Sequence, residues 1–252
     1  MEIEILGSLV VMAGDRHPVG GTKVRTTLAM LALNLGRVVS CEELVDELWG
    51  ERPPRTAGNA LQAHITRLRR LFDSLGHRAL VTVDRGYLLD LPHHAIDANR
   101  FQDLAAGGAR AVAHQPQLAV EHLERALRLW RGPALFDAGQ GARCRAAAMW
   151  LDESHVIARE DLMSARLALG DERAVASELE HLVAQYPLRE RLYDLLMLAL
   201  YRAGRQADAL DAFHRLRRRL GDDLGLQPDV RLQRRYRAIL SHDPALTLPR
   251  SA

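Results

Sequence analysis

The chain changes its hydrophobic period once. Before Pro92, short apolar runs separated by turn residues include strand-like alternation, whereas from Asp97 onward apolar residues recur only at helical spacing. A chain divided in this way is expected to be mainly α with a small β component: a mixed N-terminal part, then an all-helical part. At 252 residues it can hold one large domain or two modest ones with proper cores. The expected boundaries are 1–92 and 95–242, with a C-terminal tail over 243–252.

In the first part, turn residues set the order. Glu2-Ile3-Glu4-Ile5-Leu6, Gly7-Ser8 and Leu9-Val10-Val11 predict an antiparallel sheet of two or three short strands. Thr22 is placed to cap a helix running to about residue 35, with Leu28, Leu31, Ala32 and Leu35 inward. Ser40 and Glu43 have capping-box spacing, which predicts a second helix over 41–48. Pro53-Pro54 makes a rigid loop, and Thr56 caps a third helix reaching about residue 75. Residues 79–83 and 87–89, joined by Asp84-Arg85-Gly86, read as a β-hairpin. Three helices and a hairpin make a winged helix-turn-helix, here preceded by a sheet.

The second part predicts helices over 97–114, 117–130, a long one within 141–169, then 172–185, 188–203, 206–220 and 230–241. Gly170 and Gly204 lie 34 residues apart. At the same offset Val175 matches Ala209, Leu179 matches Phe213, Leu182 matches Leu216 and Leu162 matches Leu196. That period is the tetratricopeptide signature. Two copies fall short of the three usually needed, so the other helices are expected to pack as degenerate repeats or caps.

The third helix is the segment richest in chemistry. At about 100° per residue, Leu61, Ile65, Leu68 and Phe72 share one face. The opposite arc carries Asn59, Gln62, Ala63, Thr66 and Arg70, flanked by Arg67 and Arg69. Amides suit adenine edges, Arg suits guanine and phosphate, and Ala leaves room for a thymine methyl. On this helix alone, an ordinary core helix with an arginine-rich outer face fits as well as a base reader. Its neighbourhood adds information. Residues 42–51 hold five acids and no Lys or Arg, whereas residues 52–72 hold five arginines and no acid. Adjacent segments of opposite sign place one face toward an anion and another away from it, although the formal net charge is only +2.

In a winged helix, Thr22, Lys23 and Arg25 at the start of the first helix are placed for phosphate. Asn59, Gln62, Thr66 and Arg67 are the base-reading candidates. Arg85 at the hairpin tip is either a solvated turn residue or a minor-groove probe. Trp49 is either a core plug or a phosphate donor through its indole N–H.

Catalytic patterns are missing. Gly20-Gly21-Thr22-Lys23 lacks the spacing of a phosphate loop, and the histidines are dispersed. Asp152-Glu153 and Asp222-Asp223 suit solvated helix ends or turns better than acid/base work. Cys41 and Cys144 form no metal spacing. A non-enzyme without cofactor or metal is expected. With no signal-peptide pattern and no bilayer-length apolar run, a cytoplasmic, nucleoid-associated protein is expected.

The chain resembles the Streptomyces antibiotic regulatory protein family over nearly its whole length. The landmarks are Gly36-Arg37-Val38-Val39-Ser40, Leu48-Trp49-Gly50-Glu51-Arg52-Pro53-Pro54 and Asn59-Ala60-Leu61-Gln62 leading to Ile65-Thr66-Arg67-Leu68-Arg69. They continue through Gly86-Tyr87, Asp97-Ala98-Asn99-Arg100-Phe101, Trp130-Arg131-Gly132-Pro133-Ala134-Leu135 and Gly225-Leu226-Gln227-Pro228. The resemblance implies an OmpR-like winged helix-turn-helix joined to a bacterial transcriptional activation domain, with no receiver domain. It also implies that Arg67 with Asn59, Gln62 and Thr66 falls where bases are touched, and that His64, Arg69 and Arg70 fall where phosphate contacts are common. It implies an activator that binds direct repeats upstream of biosynthetic promoters and pairs as a homodimer on DNA. It also implies recruitment of RNA polymerase through its sigma factor and the C-terminal domain of its alpha subunit. The compact Arg85-Gly86-Tyr87 departs from the longer Arg-Gly-x-Gly-Tyr turn common in OmpR-like wings. The competing class is an interaction or ligand-sensing adaptor whose winged domain serves protein contact, which the acidic 42–51 segment fits.

Overall fold

The computed structural model describes residues 1–139 and 141–247. They form two compact units, one of residues 1–106 and 125–156 and the other of 107–124 and 157–252, within the described residues. Residues 248–252 of the expected tail lie outside the described residues.

The first unit opens with β1 (Glu2–Glu4), β2 (Val10–Ala13) and β3 (Asp15–Pro18), an antiparallel meander in that order. Ile3 faces Val11 across the first pair, and both are fully buried. Then come α1 (Thr22–Leu33), β4 (Val39–Ser40), α2 (Cys41–Trp49), α3 (Ala57–Ser74), β5 (Leu80–Val83) and β6 (Gly86–Leu89). The winged helix-turn-helix is therefore present, with a second sheet ordered β4-β6-β5. The two-residue β4 is too short to show a period, so sequence patterning misses it. Tertiary pairing creates it, with Val39 against Tyr87 and Ser40 against Gly86. The wing is compact because these strands nearly touch. A Cβ on Gly86 would lie 2.5 Å from the Val39 carbonyl oxygen.

The helix boundaries follow local chemistry. Ser40 caps α2 as expected: its hydroxyl accepts from the Glu43 N–H at 3.1 Å, and Glu43 accepts from the Ser40 N–H at 3.0 Å. The other two expected side-chain caps are not made. Gly21 occupies the N-cap of α1, Thr22 is its first helical residue, and neither Gly21 nor Thr56 caps through a side chain. The first helix stops at Leu33 rather than near residue 35. There the Asn34 side-chain amide donates back to the Met30 carbonyl at 2.8 Å.

Leu61, Ile65, Leu68 and Phe72 of α3 are each at most 2% exposed and pack toward α1 and α2. Each such burial stabilises by about 1.5–3 kcal/mol. Later chain completes this unit. The N–H groups of Arg131, Leu135 and Phe136 donate to the carbonyls of Leu6, Ile5 and Gly7. Asp97, which starts α4 (Asp97–Ala111), accepts from the Ile5 and Leu6 N–H groups at 2.7 and 3.0 Å. Burial pushes the Asp97 carboxyl upward, and those bonds with the Arg131 charge oppose it.

After α4 the helices are α5 (Pro116–Leu127), α6 (Ala142–Ala168), α7 (Glu172–Gln185), α8 (Glu190–Arg202), α9 (Gln206–Leu224) and α10 (Val230–Leu240). The last four all lie in the second unit, as does the later part of α6. Every position paired by the 34-residue offset is buried: Val175 with Ala209, Leu179 with Phe213, Leu182 with Leu216, and Leu162 with Leu196. Gly170 and Gly204 take φ of +84° and +78° at the equivalent turns. Buried carboxylates stitch this unit. Glu160 accepts from Arg189 at 2.6 Å, and Asp194 accepts from Arg235 at 2.8 Å.

Candidate nucleic-acid interface

The outer row of α3 is laid bare because its opposite face fills the core. Asn59, Gln62, Ala63, Thr66, Arg67 and Arg70 are all exposed. Thr66 turns its hydroxyl back to the Gln62 carbonyl at 2.8 Å, which leaves the oxygen lone pairs and the methyl outward. Arg67 reaches toward the start of α1, its Nη1 lying 3.8 Å from where a Gly21 Cβ would sit. The structure thus brings Arg67 beside Gly21, the N-cap of α1, whose first-turn N–H groups favour anions, and Thr22 in that turn is exposed.

The other expected contact residues divide into exposed and committed groups. Lys23 donates to the Leu48 carbonyl at 2.8 Å, and its ammonium lies 4.2 Å from the Trp49 ring centre. On the Trp49 ring lies His64, near-parallel at 12° with centroids 6.1 Å apart. Burial, then the Lys23 and Arg67 charges, pushes His64 below the ordinary histidine value. Its Nδ1 is buried with no hydrogen-bond partner among the described residues. Trp49 is half-buried and serves as a shelf for both residues.

Arg25 is turned into its own unit. It donates to the Val19 carbonyl at 3.0 Å and the Asp137 carbonyl at 2.9 Å, and pairs with the Asp137 carboxylate at 3.4 Å. Arg69 ties α3 to the wing, donating to the Thr82 hydroxyl at 2.6 Å and the Leu80 carbonyl at 3.3 Å. Arg85 is exposed at the β5–β6 turn, where Asp84 holds φ of +46°.

The acidic segment turns inward in part. Glu43 pairs with Arg143 at 2.5 Å, and its bonds to Ser40 and Arg143 pull its carboxyl down to about 2. Glu47 is 6% exposed and accepts from the backbone N–H groups of Arg143 and Cys144. Burial and then the Glu47 charge push the Cys144 thiol up, which makes it unreactive. Sequence reasoning missed the role of Glu47, although a signal existed. At helical spacing it falls between Leu44 and Leu48, an acid on an apolar face. Nothing local pointed to Asp137, Thr82 or Arg143, whose partners lie far along the chain.

Among the described residues, no three His, Cys, Asp or Glu side chains group to hold a metal ion, and no helix is long and apolar enough to cross a membrane.

Residues 19–89 match the family described as transcriptional regulatory protein, C terminal, and residues 96–240 match the bacterial transcriptional activator domain. The transcriptional regulator RedD of Streptomyces coelicolor is 48% identical over 257 residues, spanning 99% of this chain and 73% of RedD. The chain belongs to the Streptomyces antibiotic regulatory protein family. Within this family of transcriptional regulators, rather than enzymes, the regulatory protein DnrI of Streptomyces peucetius is 38% identical, over 98% of this chain and 94% of DnrI. A solved structure of Mycobacterium tuberculosis EmbR in complex with a low-affinity phosphopeptide matches with a TM-score of 0.93 and 35% identity. That match spans 96% of this chain and 65% of the EmbR chain.

Proposed function

We propose that this family member is a sequence-specific DNA-binding activator that lays α3 in the major groove of direct repeats upstream of promoters. The observation that carries the reading is the exposed, acid-free row of Asn59, Gln62, Thr66 and Arg67. These four would read bases. Thr22, Lys23 and Arg70 would meet phosphates, with Lys23 pre-placed on Trp49. Arg25 and Arg69 would hold the surface in shape through their bonds to Asp137 and Thr82, and His64 by lying on Trp49. Arg85 would approach the adjacent minor groove.

By family resemblance, the regulated genes would serve antibiotic biosynthesis. The helical half would pair protomers and contact RNA polymerase, through its sigma factor and the alpha subunit's C-terminal domain. Direct repeats require head-to-tail DNA-binding units, so a two-fold helical dimer would need a flexible link or broken symmetry. The acidic segment that fits the adaptor reading is in part engaged within the unit, through Glu43 and Glu47.

Gel-shift titration of the full chain on promoter DNA from its own gene neighbourhood, against a scrambled duplex, tests the proposal. Arg67→Ala is expected to weaken the specific complex by about 1–3 kcal/mol and the scrambled one far less. Equal losses on both would remove Arg67 from base reading, and no wild-type shift would overturn the DNA reading.

A further inference from the structure

One acid of the first unit is turned almost wholly away from solvent. Glu47 lies near the end of α2, and its two carboxylate oxygens accept from the Arg143 and Cys144 N–H groups at 2.9 Å each. Those donors belong to the first turn of α6, where N–H groups have no partner within the helix. A carboxylate there is also favoured by the helix dipole. One helix of the winged motif therefore caps another through a donor 96 residues further along the chain. The approach is close enough to demand glycine at 141, since a Cβ there would overlap both the carboxylate and the carbonyl of Glu47. Two further ties run in parallel: Glu43 with Arg143, and Arg25 with Asp137.

We propose that Glu47 is a positioning residue for DNA binding, and that its cap on α6 pre-orders the end of α2 that supports the phosphate-facing Lys23. The inference rests on the DNA-binding reading above. Immediately after Glu47 come the Leu48 carbonyl that holds Lys23 and the Trp49 ring that supports Lys23 and His64. With the cap intact, these groups are in place before DNA arrives. Without it, residues 48–50 gain freedom that binding must remove, and that cost is the same for every DNA sequence. Such coupling is reciprocal, so DNA bound at α3 and α1 tightens the first turn of α6 in return.

The test uses the full chain with Glu47→Ala, Glu47→Gln and Arg67→Ala, titrated on the promoter duplex and a scrambled duplex. Circular dichroism and thermal melting report whether each variant is folded. Glu47→Ala is expected to lose about tenfold in affinity on both duplexes alike, the scale of a lost helix cap. Glu47→Gln keeps the shape and one carbonyl acceptor and is expected to fall between. Arg67→Ala is expected to lose mainly on the promoter duplex.

Amide hydrogen exchange supplies a readout that a purely structural role would not move. Promoter DNA is expected to slow exchange at Arg143 and Cys144 in the wild type and not in Glu47→Ala. A folded Glu47→Ala protein with wild-type affinity on both duplexes overturns the proposal. So does wild-type exchange at Arg143 and Cys144 that DNA leaves unchanged, and this measurement decides the matter if Glu47→Ala does not fold. A wild type that shifts neither duplex instead sinks the DNA reading itself.

Discussion

Two helices of this protein are rich in arginine and bury one apolar face, yet they present different chemistry. On α3, exposed Arg67 and Arg70 share a surface with Asn59, Gln62 and Thr66, and no acid occurs between Arg52 and Phe72. On α9, exposed Arg217, Arg218 and Arg219 lie in the same helix as Asp208, Asp211, Asp222 and Asp223. There Arg215 is engaged by Glu180 and Asp211, and Arg205 just before the helix pairs with Asp208 at 2.6 Å. Arginine count therefore does not tell the two surfaces apart. What distinguishes α3 is that its arginines are accompanied by neutral hydrogen-bonding groups that suit base edges, with like-sign surroundings.

The largest expected effect tests what the two helices share. Leu68 on α3 and Leu216 on α9 are almost fully buried, so Leu→Ala at either is expected to cost about 2–5 kcal/mol in chemical denaturation. A cost below 1 kcal/mol at either position would mean that the face is not core.

Next comes the contrast itself. Arg67→Ala is expected to lose about 1–3 kcal/mol on the specific duplex, whereas Arg218→Ala should leave gel-shift affinity on both duplexes unchanged. If Arg218→Ala weakened DNA binding as much, the distinction between the two helices would collapse.

A smaller, sequence-blind effect is expected at Lys23. Its substitution by Ala should weaken specific and scrambled complexes equally and reduce the slope of affinity against salt by about one. An unchanged slope would mean that the Lys23 ammonium serves only Leu48 and Trp49.

The smallest effect concerns pH. Bonds to Ser40 and Arg143 lower the Glu43 carboxyl in the folded state to about 2 from the ordinary 4.5. A depressed acid contributes stability that is present above its unfolded value and lost as pH falls through the folded one. The wild type should therefore lose this contribution between about pH 4.5 and 2, and Glu43→Gln should show a shallower decline there. The group is partly exposed, so solvent screening keeps the effect small. Parallel stability–pH curves for the two proteins would contradict the assignment.

Much of this was legible locally. The helix series of the second part, the capping box of Ser40 and Glu43, the 34-residue offset and the inner face of α3 all appear as spacings. Spacing reports which residues must leave water together. The division of the surface residues was not legible. Thr22, Lys23 and Arg25 look alike at a helix start, yet Arg25 is drawn to Asp137, 112 residues away, while Thr22 remains exposed. Likewise Arg69 and Arg70 are neighbours, but only Arg69 reaches Thr82 across the fold.

By itself, the sequence determined the order of the helices and the hairpin, the winged helix-turn-helix, the helical repeat and an amide, hydroxyl and arginine face on α3. Those follow from periodicity and capping, which act within a few residues. Tertiary structure alone decided that β4 exists, that His64 lies on Trp49, and that Glu47 spends its charge on the first turn of α6. The reason is physical. Burial and hydrogen bonding between distant segments set the charge and freedom of a side chain, and a local pattern carries no information about the segment that will meet it.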